Sequence, residues 1–183
     1  MAGTHVALLR GINVGKAKRV AMADLRSVIA GLGHRDVLTL LNSGNVLFTA
    51  AGRAAPAALA DGIERAVASR LRVSSRVTVL TARELGVVID ENPLLEKATE
   101  PSRLFVAVPR TTADRRRFDP LARMDWSPDA LAIGTRAAYF WCPRGMLESR
   151  LPEAIGRALG DAVTTRNWAT MSKLHAVVGG VRS

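Results

Sequence analysis

The sequence predicts an α+β chain of two ferredoxin-like (βαββαβ) units, each followed by an extra helix, packed into one body. Three observations predict it. Residues 1–92 alternate short β-rich runs with helical patterns in the order β-α-β-β-α-β, and residues 103–183 pass through the same order again after a linker at 93–102. The repeat is one of element order, without sequence identity between the halves. In addition, Val6-Ala7-Leu8-Leu9 and Leu104-Phe105-Val106-Ala107-Val108 are apolar on both alternating faces, where a half-exposed antiparallel strand should alternate. Both faces of each sheet are therefore expected to be covered. Helices can cover one face of each unit, and the partner unit is the simplest cover for the other.

Each element has its own signal. Residues 5–9 form a short apolar run, read as a strand, and a glycine-punctuated turn follows it. From Met22 the residues Leu25, Val28, Ile29 and Leu32 recur at helical spacing, with Gly33 placed to end the helix. Runs 36–41 and 45–49 flank Asn42-Ser43-Gly44, a tight hairpin signal. A second helix is expected at 57–71, a strand at 76–80 and a third helix at 82–90. That third helix opens with Thr81-Ala82-Arg83-Glu84, a capping box, and stops before Asn92-Pro93. The second half reads as a strand at 104–108, a helix at 113–122, a hairpin from 130–134 and 137–141, a helix at 147–159, a strand at 162–166 and a closing helix at 168–177.

Composition narrows the class. At 183 residues and 48% hydrophobic, the chain can bury one substantial core or two small ones. The single Cys142 excludes an intramolecular disulfide and fits a reducing cytoplasm. No apolar run is long enough to span a membrane or serve as a signal peptide, so a cytoplasmic protein with no membrane partner is expected. The net charge of +10 favours polyanionic partners, nucleic acid or phosphorylated small molecules. All but Lys16, Lys18, Lys97 and Lys173 of the 26 basic residues are Arg, a skew that codon bias also produces. Oligomeric state leaves no sequence signature here.

The chemistry-bearing stretch is Arg10-Gly11-Ile12-Asn13-Val14-Gly15-Lys16. Two glycines and an asparagine allow positive φ, and Arg10, Lys16 and Lys18 surround the turn with charge. In a ferredoxin-like unit the loop after the first strand and the turn between the second and third lie at one sheet end. Arg10, Gly11, Asn13, Gly15 and Lys16 should therefore approach Ser43, Gly44 and Asn45, a set suited to phosphate or carboxylate. Thr165, Arg166 and Asn167 form a third candidate block, with Asn167 also placed to cap the closing helix. Each motif alone is ordinary turn or cap chemistry.

Catalytic signals are sparse. Zinc-ligand spacings are absent and His5, His34 and His175 lie far apart, so no metal and no cofactor is expected. Asp24 belongs in the first turn of a helix, where its charge favours the dipole. Ser43 lacks an evident base, and Cys142 reads as a packed thiol. Tyr139-Phe140-Trp141 invites base stacking, but core packing is the simpler fate of those rings.

Arg10 to Gly15, Met22-Ala23-Asp24-Leu25-Arg26, Asn42-Ser43-Gly44-Asn45-Val46 and Thr164-Thr165-Arg166-Asn167-Trp168 together resemble the bacterial domain-of-unknown-function family 1697, in the family's order and over roughly residues 4 to 178. The resemblance implies fold and site positions and no particular activity. Lys16, Leu41-Asn42 and Asn92-Pro93-Leu94 depart from the family's usual residues. The resulting expectation is an anion-binding protein, with a group-transfer enzyme using the same loops and an interaction module without a ligand pocket as alternatives.

Overall fold

The computed structural model describes residues 3–15 and 19–181. It is an α+β structure with two four-stranded antiparallel sheets. Contacts divide the chain into two compact units, one running to Leu85 and taking in the C-terminal end from Val178, the other spanning Gly86–Val177. The dividing points fall inside the third and the last helix.

The first unit begins with β1 (Thr4–Leu9), α1 (Met22–Ala30), β2 (Arg35–Leu40) and β3 (Asn45–Thr49). It continues with α2 (Pro56–Leu71), β4 (Val77–Thr81) and the start of α3 (Ala82–Asp90). Strand order is β2-β3-β1-β4, with Val6 opposite both Leu47 and Leu80. One face of this sheet, carrying Ala7, Leu9, Val46, Phe48, Val77 and Val79, packs against Leu25, Val28 and Ile29 of α1 and Leu59, Ile63 and Val67 of α2. Val6 and Leu8 point the other way and are just as fully buried, as the unbroken apolar run requires. Pro56 sits in the first turn of α2, where its missing N–H costs nothing. The expected capping box forms at α3: the Thr81 N–H donates to Glu84 Oε2 at 2.9 Å, and the Glu84 N–H to Thr81 Oγ1 at 3.0 Å.

The second unit contains β5 (Leu104–Pro109), β6 (Ala130–Ile133), β7 (Ala138–Trp141), α4 (Leu151–Leu159), β8 (Val163–Asn167) and most of α5 (Trp168–Val181). Its strand order is β6-β7-β5-β8. Phe118, Leu151, Ile155 and Leu159 pack against Ala107, Ala138, Phe140 and Val163. Two expected helices differ in form. The helix read at 113–122 is two 3₁₀ turns, Asp114–Phe118 and Leu121–Arg123, because Pro120 lacks the N–H that a continuous helix would use. The one read from 147 divides into a 3₁₀ turn, Met146–Glu148, and α4, since Pro152 is tolerated only in a first turn.

Candidate functional site

Two loops meet at one end of the first sheet. The Leu9 N–H donates to the Gly44 carbonyl at 2.8 Å, and the Arg10 N–H to the Arg76 carbonyl at 2.8 Å, so β1 is held on both sides up to its last residue. Ser75 Oγ adds a 2.8 Å bond to the Arg10 carbonyl. Beyond it the chain is left-handed at Gly11 (φ 66°), Asn13 (φ 55°) and Gly15 (φ 59°), with Ile12 and Val14 outside that region. Ile12 turns inward and is buried, while Gly11, Val14 and Gly15 lie at the surface. Lys16 lies outside the described residues.

Asn13 organises this loop. Its Oδ1 accepts the Val20 N–H at 2.8 Å and its Nδ2 donates to the Val20 carbonyl at 2.9 Å, closing the loop as a strand pair would. Nδ2 also donates to the Asn42 carbonyl at 2.7 Å, tying the loop to the β2–β3 turn. Both amide protons are therefore committed within the fold. The sequence places Asn13 among ligand-binding side chains; the structure shows it as the link between the two loops. Ile12, Val20, Ser75 and Arg76 complete that link, and the last three lie outside any local motif.

The β2–β3 turn is equally constrained. Asn45 is fully buried and its Nδ2 donates to the Leu40 carbonyl at 3.0 Å and to Ser43 Oγ at 2.9 Å. Gly44 has φ 74°, and a β-carbon there would stand 2.8 Å from Ile12 Cδ1 and 2.9 Å from Leu9 Cβ. Only glycine permits this contact between turn and loop. Arg10 and Ser43 are half-buried and each engages further groups. The two loops that the sequence places at one sheet end are thus in direct contact.

The third block stands on β8 in the second unit. Thr165 is paired with Ala107 and Arg166 with Val106, so their side chains leave opposite faces of the strand. Arg166 Nη1 donates to Thr164 Oγ1 at 3.0 Å and to the Thr165 carbonyl at 2.9 Å. Burial pulls the Arg166 pKa down to about 10, which leaves the guanidinium charged at neutral pH. Asn167 Oδ1 accepts the Thr170 N–H at 2.9 Å and caps α5, as its position suggests.

The other residues singled out by type are structural. Asp24 lies in the first turn of α1. Cys142 is buried and desolvation pushes its thiol pKa up, away from reactivity. Tyr139, Phe140 and Trp141 are all buried, with Phe140 stacked on Phe105 at 5.2 Å between centroids, so these rings are packed and not presented to a base. The Tyr139 hydroxyl donates to the Val88 carbonyl at 2.8 Å, and desolvation, reinforced by the charge of Glu91, raises its pKa. Among the described residues no group of three His, Cys, Asp or Glu side chains is arranged to hold a metal. His5 and His34 do converge on Phe48, His5 stacked with centroids 5.6 Å apart and His34 tilted at 4.8 Å. Their distance in sequence concealed that pairing. No helix among the described residues is long and apolar enough to cross a membrane.

Sheet order and loop geometry define an α+β protein of two antiparallel-sheet units, with a glycine- and asparagine-built junction at one sheet end. The family described as "Protein of unknown function (DUF1697)" matches residues 2–139, and the chain belongs to that family. The matched segment contains both joined loops and stops short of Thr165, Arg166 and Asn167. The structure is similar to that of the conserved bacterial protein SP0830 from Streptococcus pneumoniae, with a TM-score of 0.77 and 20% sequence identity over 97% of this chain and 99% of that one. At that identity the likeness is one of fold. No curated protein matches the chain.

Proposed function

We propose that the protein binds an anionic, phosphate-bearing ligand, a phosphorylated small molecule or a nucleic-acid backbone, where the β1–α1 and β2–β3 loops join. The observation that carries this is the junction itself: Asn13 and Gly44 clamp two turns together while Gly11 and Gly15, both left-handed, stay at the surface. Positive φ at every second residue from 11 to 15 turns the backbone sharply and suits N–H groups that face one anion. Arg10 at the head of the loop and the net charge of +10 favour the same ligand sign. The ligand is held by backbone, with Ser43 and Arg10 at its margin, and Asn13 and Asn45 shape the cradle. Thr165, Arg166 and Asn167 serve β8 and α5 of the second unit, and the proposal does not use them. The strand orders β2-β3-β1-β4 and β6-β7-β5-β8 support reading each unit as ferredoxin-like. A cytoplasmic setting fits the single, buried Cys142.

Titrating the isotope-labelled full chain with inorganic phosphate tests the proposal through amide chemical shifts. Saturable shifts confined to Gly11, Gly15 and residues 42–44 are expected. Amides there that stay still at every concentration, with inorganic phosphate and with a short single-stranded RNA, overturn it. Raising salt separates pocket from field, because diffuse backbone binding collapses with ionic strength.

A further inference from the structure

Val14 and Leu41 are two apolar residues that the fold leaves at the rim of this junction. Val14 is 68% exposed and Leu41 49% exposed. They are the chain neighbours of Asn13 and Asn42, the residues joined by the 2.7 Å bond, so they flank the point where the loops meet. Leu41 also has a left-handed backbone, with φ 60°. The other described non-glycine residues in that region are Asn13, Asp36 and Arg72. Asn and Asp tolerate it through short polar side chains, and Arg72 ends α2. Leucine has no such reason. It holds an unfavourable backbone conformation and recovers only partial burial from it, where Asn or Gly would sit without strain.

An apolar side chain kept in a strained, half-exposed position beside a cationic turn suits a partner that supplies an apolar surface and a negative charge together. We infer that the ligand of this junction is a small organic phosphate monoester, whose phosphate meets the loop amides and whose apolar group lies against Val14 and Leu41. The assignment rests on the anion-binding reading above and narrows it, since inorganic phosphate and a bare nucleic-acid backbone leave the two side chains in water. Charge complementarity supports this occupant: Arg10 precedes the loop, Arg19 stands just before its closing residue Val20, and the chain as a whole carries +10.

The test compares phenyl phosphate with inorganic phosphate as probes of the full-length chain, read through the amides of Gly11 and Gly15. Phenyl phosphate is expected to saturate at a concentration about tenfold lower, the ratio that burying part of one ring against two aliphatic side chains provides. Leu41→Asn should erase that advantage while leaving the affinity for inorganic phosphate unchanged. It should also leave the protein at least as stable, because Asn accepts the left-handed position. Val14→Ser should erase a smaller share. Equal affinity for the two probes overturns the organic-phosphate assignment and spares the anion site. An advantage that survives both substitutions overturns the role of these side chains. Shifts with a single-stranded oligonucleotide but not with phenyl phosphate overturn the small-ligand class, and no shift with any probe removes the anion site itself.

Discussion

The two units close the same end of their sheets in different ways. In both, the residue after the first strand is an arginine whose N–H bonds the residue just before the last strand: Arg10 to the Arg76 carbonyl, and Arg110 to the Ala162 carbonyl, each at 2.8 Å. In the first unit the adjoining hairpin turn lies flat on the loop, through Gly44 on Ile12 and Asn13 on the Asn42 carbonyl. The second unit has no glycine loop there. Its β6–β7 turn is held by long side chains: Arg136 Nη1 on the Pro109 carbonyl at 2.8 Å, Arg115 Nε on the Gly134 carbonyl at 2.9 Å, and Glu91 Oε2 accepting the Thr135 N–H at 2.8 Å. A buried guanidinium stands where the first unit brings backbone to the surface. At this sheet end the first unit therefore brings backbone into close approach, whereas the second is filled by a strut, and the proposed ligand reading concerns the first.

The largest effect should come from breaking the flat junction. Gly44→Ala places a β-carbon 2.8 Å from Ile12 Cδ1 and forces alanine into a left-handed position, so a loss of about 3 kcal/mol in urea unfolding is expected. Hydrogen exchange should quicken in β1 and β3 and much less in β5 and β7. Uniform acceleration in both sheets would refute the view that the junction is local to the first unit. Next in size is the strut. Arg136→Met keeps the apolar stem but leaves the buried Pro109 carbonyl without its donor, for a loss of about 2 kcal/mol. Here exchange should quicken in β5 and β7, and amide shifts on adding phosphate should be unaltered.

The α+β class and most element positions were legible because their signals are local. Apolar runs buried on both faces marked β1 and β5, Thr81 and Glu84 marked the start of α3, and Asn42-Ser43-Gly44 marked the hairpin. The forms of two helical segments were harder to read because a proline's effect depends on its place in the turn: Pro120 interrupts, whereas Pro152 only sets where α4 can begin. The meeting of the two loops was legible in the sequence, and the bonds that make it were not. Positive φ at Gly11, Gly15 and Gly44 follows from residue type, but the Asn13 amide is used up by Val20 and Asn42, contacts 7 and 29 residues away. Arg136 carries no local signal for the same reason, since its acceptor on Pro109 lies 27 residues away in sequence.

Two smaller effects sharpen the contrast. Asn13→Ala should cost about 1 kcal/mol, because the loop it closes is half-exposed and water replaces part of what is lost. It should nonetheless weaken phosphate binding more than Arg136→Met does, because the cradle loses its shape. A reversed order in that pair would move the site away from the first unit.

The smallest effect is a pH dependence expected only in the first unit. His34 Nδ1 accepts the Ala51 N–H at 3.1 Å, a bond that protonation of Nδ1 would remove, and the neighbouring His5 ring stacks on the same Phe48. Desolvation first, and the charge of His5 second, hold the His34 pKa below its ordinary value of 6.5. The unfolded chain then takes up its proton before the folded one does. Stability is full above pH 6.5, declines as pH falls through that value, and levels off below the folded pKa. Hydrogen exchange at Ala51 and along β3 should quicken between pH 7 and 5, beyond the intrinsic pH dependence of exchange, while β7 shows no such excess. His34→Gln, which keeps an acceptor without a titrating ring, should flatten the curve. A pH response that is equal in β3 and β7, or that persists in His34→Gln, would place its origin outside the His34 ring and remove this distinction between the units.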